Sequence, residues 1–209
     1  MGKVGLIVQA RMGSTRLPGK TMKEVNGKPL LGYLLDRLLK VPGAPLIVVA
    51  TSTLEREAPI VAYCQSRGVA IFRGSETDVL DRYLQCAKSY QLDTIVRITA
   101  DCPLIDPQVI TEALSHFQGC DYLSNTLRRT YPQGYDTEIF SLEALEKISR
   151  LTQDSYDREH VTPYFYHHPE QFVLKSLEQP IGNPDLRLVI DTQEDFEFVS
   201  YLLKKSHIN

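Results

Sequence analysis

Apolar positions along this chain alternate between short continuous runs and helical stripes. Val4-Gly-Leu-Ile-Val8 is a short apolar run, the pattern of a strand buried on both faces. From Pro29 to Leu39, Leu30, Leu31, Leu34, Leu35, Leu38 and Leu39 mark one face of a helix, with Pro in its first turn. Pro45 to Ala50 predicts a second buried strand. Leu54 to Arg67 predicts a helix that stops before Gly68. Val69–Phe72 reads as a third strand, Thr77–Tyr90 as a helix, Asp93–Thr99 as a fourth strand and Pro107–Phe117 as another helix. Strands alternating with helices predict an α/β fold, with a mostly parallel sheet covered by helices on both faces. Ligands of such sheets collect beyond the carboxyl ends of the strands, so the polar segments after strands one and four are where chemistry is expected.

The rhythm breaks near residue 120. Residues 121–140 are rich in Tyr, Arg, Asn and Gly. Helices follow at Leu142–Ile148 and Asp157–Tyr166, and a strand at Phe172–Leu177 leaves the main pattern. Leu186–Ile190 resumes the apolar-strand pattern, and a helix over Gln193–Lys205 follows. We therefore expect one domain over 1–209. Its core would be 1–120 and 181–209, with a lobe of about 121–180 inserted as an acceptor lid, a dimer arm or both.

Composition narrows the function classes. An apolar share of 43% and a charged share of 23% are those of a globular chain. The net charge of −3 argues against a broad basic face for nucleic acid or membrane. The first apolar run is too short for a signal-peptide core or a membrane span. None of Cys64, Cys86, Cys102 and Cys120 lies in a CxxC pair. A cytoplasmic protein with reduced thiols is the expectation.

The loop after the first strand reads Gln9-Ala-Arg-Met-Gly-Ser-Thr-Arg-Leu-Pro-Gly-Lys20. Arg11, Arg16 and Lys20 supply two guanidinium forks and an ammonium, the groups that neutralise a polyphosphate. Gly13, Ser14 and Gly19 let backbone N–H groups approach phosphate oxygens. A P-loop would need four residues between its glycines. Here Gly13 and Gly19 are separated by five, including Pro18, which has no N–H to donate.

Two acids sit where strands end. Asp101 follows the fourth strand, where a carboxylate can hold a divalent ion that bridges phosphate oxygens. Asp106 precedes Pro107 and reads as a helix cap. Asp191 closes the Leu186–Ile190 run and can reach the same sheet edge as Asp101. Glu194 and Asp195 fall in a first helical turn, where the helix dipole accounts for them.

The run Gln9–Lys20 resembles the signature of cytidylyltransferases that make CMP-activated acid sugars, and most closely the spore-coat polysaccharide SpsF-type branch. The resemblance covers nearly the whole chain. It implies a three-layer Rossmann-like fold of the nucleotide-diphospho-sugar transferase (GT-A-like) type. It also implies transfer of CMP from CTP to an acidic or nonulosonic-type sugar, with Mg²⁺ on Asp101 and Asp191, and a homodimer. Arg11, Lys20, Asp101 and Asp191 would be catalytic. Ala10, Arg11, Gly13, Ser14, Arg16, Lys20, Thr51, Asp78, Arg82 and Asp101 would bind the nucleotide. The segment Tyr131–Phe140 resembles the family's acceptor-facing turn, with Tyr135, Asp136 and Glu138, and Arg158 and His160 lie in a second segment that resembles one near the acceptor or the dimer contact. Asp78 reads equally well as a first-turn acid and His160 as an ordinary helix residue. Val189 stands where related synthetases often carry a further Asp, which favours one ion over two. Relatives commonly extend further past the last helix than Asn209. Two other readings are a nucleotidyltransferase of this fold with another base or a sugar-phosphate acceptor, and a non-catalytic nucleotide-binding homologue.

Overall fold

A computed structural model describes residues 2–43 and 45–205. Strand β1 (Val4–Gln9) leads through the loop to a single 3₁₀ turn, Lys20–Met22, and a small hairpin of β2 (Glu24–Val25) and β3 (Lys28–Pro29). Then come α1 (Leu30–Leu38), β4 (Leu46–Ser52), α2 (Ala58–Ser66), β5 (Ala70–Gly74), α3 (Val79–Ser89), β6 (Thr94–Thr99) and α4 (Pro107–His116). The second half holds β7 (Tyr122–Ser124), β8 (Glu138–Ser141), α5 (Leu142–Leu151), α6 (Ser155–His160), α7 (Pro163–His167), β9 (Leu174–Ser176) and α8 (Gln193–Lys205).

Seven strands form one sheet in the order β5-β4-β1-β6-β8-β7-β9. Only β8 runs against its neighbours. The chain is thus the expected three-layer α/β fold. Alternate side chains of β1 face opposite sides of the sheet. Leu6 and Val8 join α1, α2 and α4 in one apolar cluster, while Ile7 joins α3 and α5 in another. A third cluster, with Leu17, Leu30, Leu188, Ile190, Val199 and Leu203, lies under α8. No helix among the described residues is long and apolar enough to cross a membrane.

Several boundaries differ from the sequence reading, each for a local reason. Pro29 is the extended residue that caps α1, because it also pairs in the hairpin. The Leu54–Arg67 stretch opens as a 3₁₀ turn, Glu55–Glu57, before α2. The helix expected over Asp157–Tyr166 is two helices. Val161 takes a φ of 72° between them, and Pro163 starts the second. A β-branched residue seldom adopts such a φ. Leu186–Ile190 is not a strand: only Arg187 forms a bridge, to Gln133. Its alternating apolar residues serve the cluster under α8 instead of a ladder. Residues 121–180, expected as an inserted lobe, contribute β7, β8 and β9 to the central sheet itself.

Candidate active site

A cavity of about 190 Å³ opens at the carboxyl ends of β1 and β6. It is lined by Gln9, Arg11, Ser14, Thr15, Arg16, Lys20, Thr21, Thr99, Ala100, Asp101 and Asp191. The loop that brings the cations there is closed by local bonds. Gly19 N–H donates to the Met12 carbonyl at 3.1 Å, and Gly19 takes a φ of 67°, a turn in which a side chain would be strained. The fully buried Glu57 carboxylate accepts from Met12 N–H at 2.8 Å and from the Thr51 hydroxyl at 3.2 Å, which ties the loop to β4.

Lys20 is the centre of the cavity's charge. Its ammonium donates to Asp101 Oδ2 at 3.0 Å, to Asp191 Oδ1 at 3.0 Å and to the Ile190 carbonyl at 2.6 Å. Arg16 Nη2 lies 3.3 Å from the same Asp191 oxygen. The backbone closes the arrangement, with Ile190 N–H donating to the Asp101 carbonyl at 2.9 Å. Two aspartates ninety residues apart in sequence thus face one cation. Burial works to raise the pKa of Asp191. The hydrogen bond and charge of Lys20, with Arg187 and Arg16, outweigh it and hold the carboxyl below its usual range.

These donors suit a hard divalent ion. The Lys20 ammonium already marks a cation position between two carboxylates. Among the described residues no group of three or more His, Cys, Asp or Glu side chains forms a ready-made cage. A site of two carboxylates completed by ligand oxygens and water is the pattern of Mg²⁺ bound together with phosphates.

A second cavity, about 520 Å³, lies beside the first. Its lining includes Arg97, Arg129, Asp136, Glu138, Tyr156, His160, Thr162 and Tyr166. Arg97 comes from β6 and Glu138 from β8, directly opposite in the antiparallel register. The two side chains pair, and Tyr122 donates to the other Glu138 oxygen at 2.6 Å. Burial works to lower the Arg97 pKa, but the Glu138 charge holds it above the ordinary value. Arg129 forks both oxygens of Asp136 at 2.6 and 3.0 Å. Arg97 Nη2 also reaches Gln9 Oε1 at 3.4 Å, and Gln9 lines the first cavity, so the two chambers are bonded to each other.

The sequence-expected residues divide accordingly. Arg11, Ser14, Arg16, Lys20, Asp101 and Asp191 line the first cavity. Asp136, Glu138 and His160 line the second. Gly13 packs against the Arg56 guanidinium, which would have to shift for a side chain there. Thr51 is buried in β4 and Ala10 is buried just past the end of β1. Asp78 caps α3, accepting from Asp81 N–H at 2.9 Å, and pairs with Arg158 at 2.7 Å. These two expected binding residues are therefore engaged with each other. Tyr135 packs between two apolar clusters and is not among the residues that line the second cavity. Arg82 is 1% exposed; its Nη1 donates to the Ser75 carbonyl at 2.6 Å, while its Nε and Nη2 find no protein partner. Asp106 caps α4 as expected.

The sequence reading missed Glu57, Arg97, Gln133 and Arg187. A lone charge inside an apolar run was the available signal for Arg97 and Arg187. Burial pushes the Cys64 and Cys86 thiols up, to about 11 and about 12, which leaves neither as a nucleophile.

The turn that holds Gly134 is packed on the segment that carries Asp191. Gly134 has a φ of 104°, and a Cβ there would lie 2.7 Å from the Leu188 carbonyl carbon and 2.8 Å from Val189 N. Gly134→Ala is therefore expected to cost about 1–3 kcal/mol of stability, from a strained backbone forced against backbone. Urea unfolding measures it, and a change within about 0.5 kcal/mol, the scatter of neutral surface substitutions, contradicts this packing.

Known proteins match this chain along its length. The family model for cytidylyltransferases matches residues 6–208. The spore coat polysaccharide biosynthesis protein SpsF of Bacillus subtilis is 37% identical, over 99% of this chain and 88% of its own. A cytidylyltransferase structure from Leptospira borgpetersenii superposes with a TM-score of 0.95 at 38% identity, covering 99% of this chain and 88% of the other. The structure of a CMP:2-keto-3-deoxy-manno-octonic acid synthetase complexed with CTP shares the fold, with a TM-score of 0.74 at 19% identity over 97% of this chain and 99% of the other.

Proposed function

Because this chain belongs to the cytidylyltransferase family, we propose that it moves CMP from CTP to a sugar hydroxyl, releasing pyrophosphate, in the making of a polysaccharide or other glycan. The observation that carries this reading is the joining of two polar chambers. One gathers three cations and two carboxylates; the other presents two arginine–carboxylate pairs, hydroxyls and an imidazole suited to a polyhydroxylated molecule. A nucleotide in the first and a sugar in the second would meet at the Gln9–Arg97 contact.

The chemistry is an in-line displacement. The acceptor oxygen bonds to the α-phosphorus as the bond to the pyrophosphate oxygen breaks. The hydroxyl proton leaves to water or to the His160 imidazole. Arg11, Arg16 and Lys20 neutralise the charge that gathers on the leaving pyrophosphate. Asp101 and Asp191 would hold a divalent ion, for which we take Mg²⁺, and that ion supplies charge neutralisation on the phosphates. Most of the rate comes from placing two substrates in line and from fixed charge. The unpartnered Nε and Nη2 of Arg82 are donors that a cytosine carbonyl or ring nitrogen can satisfy.

We place an acidic, nonulosonic-type sugar first among acceptors, in keeping with the resemblance of the loop Gln9–Lys20. Leu151, Tyr156 and Val173 are exposed on the 121–180 segment and offer apolar area for a homodimer contact. The test is a panel of ATP, GTP, UTP and CTP, with acidic and neutral sugars and Mg²⁺, scored for pyrophosphate. CTP with an acidic sugar is expected to exceed each other nucleotide by at least about a hundredfold, a floor below the roughly ten-thousandfold that buried hydrogen-bonding groups give when a wrong base leaves them unpaired. Equal turnover with UTP, or turnover only with sugar phosphates, overturns this assignment.

A further inference from the structure

Asp191 stands at the end of a segment that is not a strand, so no sheet ladder fixes it. Ile190 anchors the backbone: its side chain is fully buried, and its N–H bonds Asp101. The side chain of Asp191 is held separately, by Arg187. Arg187 Nη2 donates to Asp191 Oδ2 at 2.9 Å. Its Nε and Nη2 also donate to the two oxygens of Asp195 at 2.8 and 3.1 Å, and its Nη1 donates to Gln133 Oε1 at 2.9 Å.

Each partner adds a constraint. Asp195 Oδ2 also accepts from the backbone N–H groups of Asp191 and Thr192, both at 2.9 Å, so it folds the turn into α8 around the same guanidinium. Gln133 is itself fixed by backbone bonds to Leu186 at 2.9 Å and Leu188 at 2.7 Å, one residue before the glycine that opens the acceptor-side turn. The effect on Asp191 is specific. Oδ2 is turned back to Arg187, and Oδ1 faces Lys20 and Arg16 in the nucleotide cavity. A single carboxylate oxygen is thereby presented to the ion-holding position.

We infer that Arg187 is a positioning residue for the transfer reaction. It selects which oxygen of Asp191 faces the nucleotide and ties that carboxylate to the acceptor-side turn through Gln133. This inference rests on the proposed cytidylyl transfer. An ordinary half-exposed ion pair contributes little to stability. A planar fork that holds Asp191, Asp195 and the distant Gln133 at once sets geometry instead, and a lysine cannot reproduce it.

The experiment compares wild type with Arg187→Lys, Arg187→Met and Asp191→Asn, using CTP and Mn²⁺ as probes. CTP affinity is first measured by calorimetry in EDTA, and Mn²⁺ affinity of the CTP-loaded protein is then measured by electron paramagnetic resonance. Arg187→Lys and Arg187→Met are expected to keep CTP affinity in EDTA within about threefold of wild type. Their Mn²⁺ affinity is expected to fall by about tenfold to a hundredfold, the usual effect of removing an outer partner of a metal ligand. Adding Arg187→Lys to Asp191→Asn is expected to weaken Mn²⁺ no further, because Arg187 acts through that carboxylate. A purely structural role predicts a lower melting temperature with Mn²⁺ affinity unchanged in the folded Arg187→Lys protein. Mn²⁺ affinity within threefold of wild type in both Arg187 variants overturns the inference. Wild-type protein that fails to bind CTP in either condition overturns the transfer reading itself, a result distinct from the first.

Discussion

Asp191→Asn is expected to lower pyrophosphate release by roughly a hundred- to a thousandfold, the range seen when one pre-arranged charge is taken from a transition state. Asparagine keeps the size of the side chain and one oxygen for Arg187 Nη2, whose bond to Asp191 is 2.9 Å. What is lost is the negative charge that faces Lys20 and, in the proposed mechanism, the ion on the phosphates. Asp101→Asn is expected to fall by a similar factor. The double variant carries the sharper information. If both carboxylates serve one ion, removing either disables the unit, and the pair together loses little more than the worse single variant. Multiplying losses would mean independent roles and would count against a shared ion. CTP affinity in EDTA is the control, because it reads the loop cations without the ion. Activity of Asp191→Asn within tenfold of wild type sinks the catalytic assignment.

Much of the fold was legible because burial on both faces of a parallel sheet leaves a local mark. β1, β4 and β6 are apolar runs ended by polar or turn residues, and α1, α3 and α4 are stripes between or after them. The first cavity was legible for a related reason. Its cations come from one loop, and its two aspartates each close an apolar run. What the sequence hid depends on long-range pairing. Arg97 meets Gln9 across 88 residues, and Arg187 meets Gln133 across 54. No local pattern announces such a partner. Leu186–Ile190 misled because alternation reports which residues point inward, and a segment under a helix alternates as well as a strand does. The break at Val161 was signalled by Pro163, since proline ends a helix that approaches it. Asp78 shows a mixed case: expected in the first turn of a helix, it caps α3 instead, and its pairing with Arg158 across 80 residues left no local sign.

Lys20→Met is expected to have two effects of opposite sign. Transfer should fall by about a thousandfold, because one of the three loop cations opposite the leaving pyrophosphate is gone. Divalent-metal binding to the nucleotide-free protein should improve, by about tenfold or more. The second effect follows from where the ammonium sits. It spends three donors on Asp101, Asp191 and the Ile190 carbonyl, with only 14% of its side chain exposed. A divalent ion that arrives alone must displace a fully bonded cation from between the carboxylates. In the proposed mechanism a triphosphate would change the balance by offering Lys20 new anionic partners, which would free the aspartates for the ion. Nucleotide and metal should therefore strengthen each other's binding in the wild type, by the same factor in either direction. That coupling should shrink in Lys20→Met, where no ammonium has to move. Mn²⁺ titrations with and without CTP, on both proteins, give the four affinities needed. Equal Mn²⁺ affinity of the two nucleotide-free proteins would show that Lys20 does not compete with the ion for Asp101 and Asp191. The ammonium would then be a neighbour of that position and not its occupant.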